Sequence, residues 1–277
     1  MKAETLFDVR GLAVWVTGAA SGIGFGYAEA MCDNGAHVTL TDADPVALEA
    51  AVARLQGRAG RAVGVVADVT QPATLQSAVA GVVGRHGRLD VLFANAGISA
   101  GPGFLRGDGT RNEAAALENL SLETFDRAVA VNLRGALATL QAAVPPMKRQ
   151  GGGRIIVTTT VSLMRTETLV STLYVASKAA LGQLVRQAAL ELARHGILVN
   201  GIAPGPTITN IGGGRLQDAA ARRPFEQATP LGRLATAADL QGAALFLASP
   251  ASSYITGTQI VVDGGSCLGP ADPPPPP

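Results

Sequence analysis

Seven short apolar runs alternate with segments of helical pattern along almost the whole chain. A strand, a helix and a second strand in this order form a right-handed crossover, and repeats of that unit build a parallel sheet with helices on both faces. The sequence therefore predicts an α/β fold, a doubly wound parallel sheet of seven strands in a single domain. The predicted strands span residues 13–17, 37–41, 61–67, 91–94, 154–159, 198–203 and 259–262.

The chain has 277 residues, enough for one such domain, which we assign to residues 1–269. Residues 270–277 are rich in proline, which fits neither a helix interior nor a central strand, and we predict a disordered tail there. Apolar residues make up 47% of the chain and charged residues 16%, a composition typical of a packed globular interior.

Composition also limits the partners of the protein. The net charge is only +1 and no basic block is present, so we expect no nucleic-acid binding. The chain has neither an apolar run that could span a membrane nor an N-terminal signal-peptide core, which predicts a cytoplasmic protein without membrane contact. Cys32 and Cys267 are too few for a disulfide framework. The three histidines lack partners at metal-ligand spacing, so no metal site is predicted.

The first predicted strand leads into a glycine-rich turn, TGAASGIG, and then into an amphipathic helix. Glycines let the backbone approach a pyrophosphate, and a helix N-terminus presents free N–H groups and the positive end of its dipole. The spacing is G-x-x-x-G-x-G rather than the common G-x-G-x-x-G. A turn that binds nothing is the alternative. The candidate cofactor-binding residues here are Gly18, Ser21, Gly22, Ile23 and Gly24.

Asp42 follows the second predicted strand, about twenty residues beyond the glycines. A carboxylate there accepts hydrogen bonds from the adenosine ribose hydroxyls and repels a 2′-phosphate. Neither the turn nor the residues directly after Asp42 contain an arginine or lysine to offset that repulsion. The sequence therefore predicts NAD as the cofactor, with a simple turn or helix cap ahead of Pro45 as the alternative role for Asp42.

Tyr174 and Lys178 are four residues apart in a stretch of helical pattern, so they share one helix face. A phenol normally keeps its proton up to a pKa of about 10, and a fixed cation nearby lowers that pKa. The pair is consequently a candidate proton donor and its activating cation. Taken alone, the same spacing also occurs on solvated helices without any function.

Further motifs follow in order: Asp68-Val69, Asn95-Ala96-Gly97, Asn132, Tyr174-x-x-x-Lys178 and Pro204-Gly205. Together with the glycine turn, they resemble the classical short-chain dehydrogenase/reductases over residues 12–265. The resemblance implies a Rossmann-type fold and an NAD(P)-dependent oxidoreductase that acts on CH–OH groups. It also implies that residues 68 and 69 flank the adenine, that Asn95 steadies the central strand, and that residues 204–209 contact the nicotinamide end. The cofactor-binding residues implied in this way are Asp68, Val69, Asn95, Ala96, Gly97, Tyr174, Lys178, Pro204, Gly205, Thr207 and Thr209.

The family's mechanism implies the catalytic roles. Tyr174 exchanges a proton with the carbonyl or alcohol oxygen of the substrate, and Lys178 lowers its pKa and holds the nicotinamide ribose. Asn132 completes a proton relay through water. The family's substrate-orienting serine corresponds by strand register to Thr160, fourteen residues before Tyr174, where thirteen is usual. Ser162 competes for the same role.

Two long segments after strands, residues 98–120 and 204–230, interrupt the alternating pattern, and loops of this kind are often functional. Arg106 and Arg111 of the first could meet an acidic group of the substrate, or could simply face solvent. The second resembles the family's mobile lid. The substrate is predicted to be a small secondary alcohol or ketone, and the family's habits imply a homotetramer or homodimer.

Two other functions stay open. An NADPH-dependent carbonyl or 3-oxoacyl reductase would use the same catalytic residues, but Asp42 argues against it. A member of the fold that senses NAD without turnover would be expected to lack the tyrosine or the lysine, and this chain has both.

Overall fold

The computed structural model describes residues 2–269, and the predicted tail at 270–277 lies outside the described residues. All seven strands are parallel and form one sheet in the order β3-β2-β1-β4-β5-β6-β7. The predicted fold class is confirmed. The strands are β1 Ala13–Thr17, β2 His37–Asp42, β3 Arg61–Val66, β4 Val91–Ala94, β5 Gly153–Thr158, β6 Ile197–Pro204 and β7 Gln259–Val262.

The predicted strand bounds differ from the observed ones by one residue at several ends. β5 begins and ends one residue earlier than predicted, at Gly153 and Thr158, because its register is set by pairing with β4 and β6 rather than by its own apolar run. Thr159 and Thr160 therefore lie beyond the strand.

Helices cover both faces of the sheet. They are α1 Ala3–Leu6, α2 Gly22–Asp33, α3 Pro45–Arg54, α4 Pro72–His86, α5 Leu122–Val129, α6 Ala136–Gln150, α7 Thr172–Leu192, α8 Ala219–Gln227 and α9 Ala237–Ala248. A π-helical turn, Ala130–Gly135, joins α5 to α6. The segment predicted as a long second loop thus contains α8.

Strand β1 explains how the two layers are built. Its side chains alternate between faces, as in any strand, and all of them are buried. Val14 and Val16 pack with residues of α2, α3 and α9, whereas Trp15 packs with residues of α4, α6 and α7. Burial on both faces explains why the strand reads as a continuous apolar run rather than an alternating one.

The strand order reverses direction between β1 and β4, so the crossovers on either side lead away from each other. In open α/β sheets this point leaves a crevice at the carboxyl ends of the strands, where ligands bind. The glycine turn follows β1, and Asn95 follows β4. Within residues 2–269, no helix is long and apolar enough to cross a membrane.

Candidate active site

The glycine turn is packed too tightly for side chains. Gly18 and Gly22 have positive φ angles of 62° and 55°. A Cβ on Gly24 would lie 2.1 Å from the Gly18 carbonyl oxygen and 2.5 Å from Nδ2 of Asn95, and one on Gly18 would lie 2.7 Å from Cα of Ala96. These contacts require glycine. They leave the N-terminus of α2 approachable by a pyrophosphate, which fits a dinucleotide cofactor.

Ser21 and Ile23 complete this turn at the first residues of α2. Ser21 is the N-cap, and its side chain makes no capping hydrogen bond, so its hydroxyl is not committed to the helix end. Ile23 is partly buried and packs on the core beneath the turn.

Asp42 is the last residue of β2, and its carboxylate lies against the glycine turn. Its Oδ2 accepts a hydrogen bond from the amide of Ala20 at 3.1 Å, and its Oδ1 accepts one from the amide of Asp44 at 3.2 Å. Asp44, not Asp42, caps α3, because its Oδ1 accepts from the amides of Val46 and Ala47. The Asp42 carboxylate, which is predicted to accept hydrogen bonds from the ribose hydroxyls, is therefore held at the glycine turn.

Asn95 ties three strand ends together. Its Nδ2 donates to the carbonyl oxygens of Thr17 and Gly18, both at 3.1 Å. Its Oδ1 accepts from Oγ1 of Thr158 at 2.9 Å. The residue thus fixes β1, β4 and β5 relative to one another beside the glycine turn.

Asp68 and Val69 follow β3 on the far side of the crevice. Oδ1 of Asp68 accepts two hydrogen bonds from Thr70, from its amide and its hydroxyl, both at 2.8 Å, which closes a turn. Val69 is buried against Gly135, where a Cβ would lie 2.7 Å from Cγ2 of Val69.

Residues 204–209 leave β6 and cross back over the glycine turn. Pro204 ends the strand, and a Cβ on Gly205 would lie 2.7 Å from Cα of Asp263. Oγ1 of Thr207 donates to the Gly205 carbonyl oxygen at 2.9 Å. A Cβ on Gly22 would lie 3.3 Å from Cβ of Thr209, so this segment lies next to the glycine turn.

Lys178 is buried within α7, and its ammonium points at the end of β5. Nζ donates to the carbonyl oxygen of Thr158 at 2.8 Å. Because burial disfavours the charged form, the pKa of Lys178 is lowered to about 8. A Cβ on Gly97 would lie 3.3 Å from both Nζ of Lys178 and Oδ1 of Asn132, so the two side chains flank that glycine.

The pKa of Tyr174 moves in the direction opposite to the predicted one. Burial raises the pKa of the Tyr174 phenol to about 12, and a hydrogen bond with the Thr160 side chain acts against that rise. The phenol is uncharged and half-buried, so removing it from water disfavours the phenolate. The ammonium of Lys178 is directed at Thr158, and it does not draw the phenol's pKa down here.

Asn132 lies in the π-helical turn between α5 and α6 and is completely buried. Its Oδ1 accepts from the amide of Ile98 at 2.8 Å, and its Nδ2 donates to the Ile98 carbonyl oxygen at 3.1 Å and to Oγ of Ser177 at 3.0 Å. An inserted residue in a helix of this kind often marks a functional site. Here it turns the amide toward α7 and the residues after β4.

The two candidate hydroxyls, Thr160 and Ser162, have different positions relative to the phenol. Thr160 is the hydroxyl beside Tyr174, whereas Ser162 contacts Thr160, with 3.1 Å between the two side-chain oxygens. Oγ1 of Thr160 also accepts from the Ser162 amide at 3.3 Å, which caps a short 3-10 turn. Of the two hydroxyls, Thr160 is thus the one that contacts the phenol directly.

Sequence reasoning missed two residues of this site. Thr158 provides its carbonyl to Lys178 and its hydroxyl to Asn95, and Ser177 links Asn132 to the Tyr174 carbonyl oxygen, to which its Oγ donates at 2.8 Å. The position of Ser177 within Tyr174-Val175-Ala176-Ser177-Lys178 is the one available signal, because i and i+3 share a helix face. Within residues 2–269, no group of three or more His, Cys, Asp or Glu residues could hold a metal ion.

Known proteins resemble this chain over most of its length. A family profile described as "Enoyl-(Acyl carrier protein) reductase" matches residues 18–266. The chain is 36% identical to L-rhamnose 1-dehydrogenase (NAD(P)(+)) of Sphingomonas sp. over 93% of this chain and 96% of that protein. It is 35% identical to sorbitol dehydrogenase of Cereibacter sphaeroides, over 93% of this chain and 98% of that one.

Solved structures give the same result. A short-chain type dehydrogenase/reductase from Mycobacterium marinum superposes with a TM-score of 0.85 at 34% identity, covering 96% of this chain and 99% of that one. This chain therefore belongs to the short-chain dehydrogenase/reductase family. It is an NAD(P)-dependent oxidoreductase that acts on CH–OH groups.

Proposed function

We propose that this protein is an NAD-dependent dehydrogenase that interconverts a secondary alcohol and a ketone, with Tyr174 as the general acid and base. The convergence of α7, the π-helical turn and the end of β5 around Gly97 carries the proposal. Lys178 and Asn132 lie on either side of that glycine, and Thr160 lies beside the phenol. This is the arrangement that a proton exchange at a substrate oxygen requires.

Hydride transfer is the chemistry that NAD would supply when bound, and the chain's own residues would accept or donate the proton. In oxidation, the phenolate form of Tyr174 accepts the proton that leaves the alcohol oxygen, after the phenol has given its own proton to solvent, and Thr160 orients that oxygen by hydrogen bonding. Lys178, with a pKa of about 8, can lose or regain a proton near working pH. Asn132 binds the backbone of Ile98, and a water relay to the Lys178 ammonium would depend on that backbone. The phenol, with its pKa raised to about 12, favours the protonated form, so reduction starts from a ready donor.

The preference for NAD rests on Asp42. Its carboxylate is held at the glycine turn by the amides of Ala20 and Asp44, where a 2′-phosphate would meet a fixed negative charge. The rhamnose dehydrogenase relative is described with NAD(P), so a cofactor comparison is part of the test.

A spectrophotometric screen tests the proposal. Secondary alcohols, polyols and sugars are offered with NAD or NADP, and ketones with NADH or NADPH, while the absorbance of the reduced cofactor is followed. Turnover should appear with NAD and be abolished in Tyr174→Phe, which should still bind NAD. Wild-type kcat in that variant would overturn the catalytic assignment. NAD binding without turnover across the panel would favour a sensor instead, and comparable kcat/KM with NADPH would favour the carbonyl reductase.

We also propose that the protein is a cytoplasmic homotetramer or homodimer. Leu137 on α6 and Leu190 on α7 are exposed apolar side chains, which supports a contact between copies. Cys32 and Cys267 are both free thiols, the state that a reducing compartment maintains. Light scattering after size-exclusion chromatography tests the assembly.

A further inference from the structure

A cavity of about 250 Å³ lies between the first long loop and α8. Its wall includes two guanidinium groups, Arg106 and Arg215, together with apolar side chains such as Leu105, Leu169 and Phe225. We propose that this cavity binds an anionic end of the substrate, a carboxylate or phosphate, while the alcohol carbon reacts at Tyr174. The inference rests on the proposed function and names the substrate class for it.

The loop on one side of the cavity is fixed by contacts with neighbouring segments. The amides of Gly103 and Leu105 donate to the carbonyl oxygens of Leu169 and Thr168, at 3.2 and 3.1 Å. A Cβ on Gly107 would lie 2.5 Å from Cγ of Pro224, so the loop also packs closely against α8. The loop is thus fixed on one side by backbone hydrogen bonds and on the other by packing against the Pro224 ring, which places the backbone of Arg106 between two fixed contacts.

Both walls of the cavity start at the catalytic site. The loop begins at Ile98, which holds Asn132 through two hydrogen bonds. The second long segment, residues 204–230, is called the lid. It brings Thr209 next to Gly22 and Gly212 next to Ser99, and a Cβ on Gly212 would lie 3.4 Å from the Ser99 side chain. Leu169 precedes Tyr174 by five residues. The two segments that form the cavity are therefore the ones that also run beside Asn132 and the glycine turn.

The carboxylates near the cavity bind groups other than Arg106 and Arg215. Asp108 accepts from the amide and hydroxyl of Thr110, which lower its pKa, with a lesser contribution from Arg106. Asp218 caps α8 by accepting from the Ala221 amide, and Glu226 pairs with Arg222.

The two arginines of the wall have no such partner. Within residues 2–269, neither Arg106 nor Arg215 forms an ion pair with a carboxylate. Arg106 donates to the Arg111 carbonyl oxygen, and Arg215 lies 5.7 Å from the centre of the Phe225 ring. The fork of a guanidinium matches carboxylate and phosphate oxygens, so two of them in one cavity select an anion over a neutral group.

Arg111, the other candidate from the sequence, does not line this cavity. Its guanidinium faces Glu113 at 4.0 Å and lies 5.8 Å from the centre of the Phe104 ring. Of the two arginines predicted from the loop, the structure assigns the anion to Arg106, with Arg215 of the lid as its partner.

Binding without turnover gives the first test. The wild-type protein, with NAD present, is heated in a thermal-shift assay with hexanoate, hexyl phosphate or the neutral hexanamide. The anions should raise Tm more than hexanamide does, and Arg215→Gln should remove the difference. Equal shifts for anion and amide, or an unchanged difference in the variant, would overturn the proposal. A preference for one of the two anions identifies the group that the cavity takes.

Turnover gives the second test. 3-Hydroxybutanoate, 5-hydroxyhexanoate and 7-hydroxyoctanoate are compared with their methyl esters. We expect kcat/KM to favour the acids of sufficient length about tenfold over their esters, since two exposed arginines attract a carboxylate and not a neutral ester. Arg215→Gln should raise KM for those acids several-fold and leave the esters unchanged. No turnover of any compound would sink the proposed function, whereas equal turnover of acids and esters would sink only this inference.

Two variants keep the result interpretable. Arg106→Lys retains a cation but loses the fork, so it should lie between wild type and Arg106→Gln even if the glutamine disturbs the loop. Arg149→Gln removes the same charge from the exposed last turn of α6, just before β5 and thus at the opposite edge of the sheet. It should change none of these values.

Discussion

Nδ2 of Asn132 donates a hydrogen bond to Oγ of Ser177 at 3.0 Å, and that hydroxyl donates in turn to the carbonyl oxygen of Tyr174 at 2.8 Å. The amide of Asn132 is thereby connected to the helix that carries the phenol and the ammonium. The Asn132 amide nitrogen has two hydrogens, and it donates one to Ile98 and the other to Ser177, so the orientation of the amide is fixed. Ser177 is a positioning residue in this arrangement.

Ser177→Ala should lower kcat about tenfold, because one buried hydrogen bond is worth about 1 kcal/mol and Asn132 would lose its fixed orientation. KM for NAD should stay within about twofold, since neither hydrogen bond of the Ser177 hydroxyl reaches the glycine turn or Asp42. Steady-state kinetics measure both. Ser77→Ala is the matched control, because its hydroxyl also donates to a carbonyl in its own helix, α4, but far from the site. A proportional rise in KM instead of a fall in kcat would indicate a merely structural role.

Thr160→Ala should lose more kcat than Ser162→Ala. Thr160 lies beside the Tyr174 phenol, and Ser162 reaches it only through Thr160. We expect a loss of about a hundredfold for Thr160→Ala, in the range of a single lost group that orients the reacting oxygen. Thr160→Ser keeps the hydroxyl and should retain most of the activity. The opposite ranking in kcat would assign the substrate contact to Ser162.

Asp42→Ala should raise kcat/KM with NADPH at least tenfold relative to NADH, since a like-charge contact costs several kcal/mol and is removed. The measurement is the ratio of the two kcat/KM values. Asp44→Ala removes a carboxylate two residues away that caps α3. It should cost about 1 kcal/mol of stability and leave the cofactor ratio unchanged. If both variants shift the ratio equally, general electrostatics rather than Asp42 sets the preference.

Lys178→Met should make the protein more stable near neutral pH while abolishing activity. Lowering the pKa of Lys178 from 10.5 to about 8 corresponds to a cost of roughly 3 kcal/mol for burying the charged form, offset by about 1 kcal/mol for its hydrogen bond to Thr158. Between about pH 8 and 10.5 the unfolded chain binds more protons than the folded one, so the wild type gains stability as the pH rises. The advantage of the variant should therefore shrink over that window.

Urea denaturation of both proteins without cofactor, near neutral pH and above pH 10.5, measures this change. Lys148→Met, at an exposed position in the last turn of α6, is the control and should show no such pH dependence. A wild type that is more stable than Lys178→Met at both pH values would contradict the assigned cost of burial.

Gly24→Ala should eliminate NAD binding and destabilise the fold by several kcal/mol, because the new Cβ would lie 2.1 Å from the Gly18 carbonyl oxygen, and backbone must move. Gly84→Ala in α4 has no atom within 4 Å of its new Cβ. That control should stabilise the protein by about 0.5–1 kcal/mol through helix propensity. Thermal denaturation and NAD titration separate the two. Normal NAD affinity in Gly24→Ala would mean that the turn does not bind the cofactor.

Local patterns in the sequence were sufficient for the architecture. Continuous apolar runs such as that of β1 specify strands buried on both faces, and the order of strands and helices leaves a parallel sheet as the arrangement that right-handed crossovers allow. The glycine turn and Asp42 could be placed at the same crevice for that reason, since each follows a strand whose carboxyl end lies at one edge.

Contacts between distant segments could not be predicted in the same way. Whether the pKa of Tyr174 rises or falls depends on how far the surrounding loops remove the phenol from water. The hydrogen bond from Lys178 to Thr158 depends on where β5 ends. Arg106 and Arg111 look equivalent in the loop sequence, and only the packing of that loop against α8 separates them.

The sequence by itself determined the sheet, and it predicted the glycine turn as the cofactor-binding turn and Tyr174 as the proton donor, because spacing along one strand or helix fixes which residues share an end or a face. Only the tertiary structure decided which hydroxyl lies beside Tyr174, what holds Asn132 and which arginine lines the cavity. Those answers depend on hydrogen bonds and burial between elements far apart in the chain, whose geometry is set when the whole domain packs.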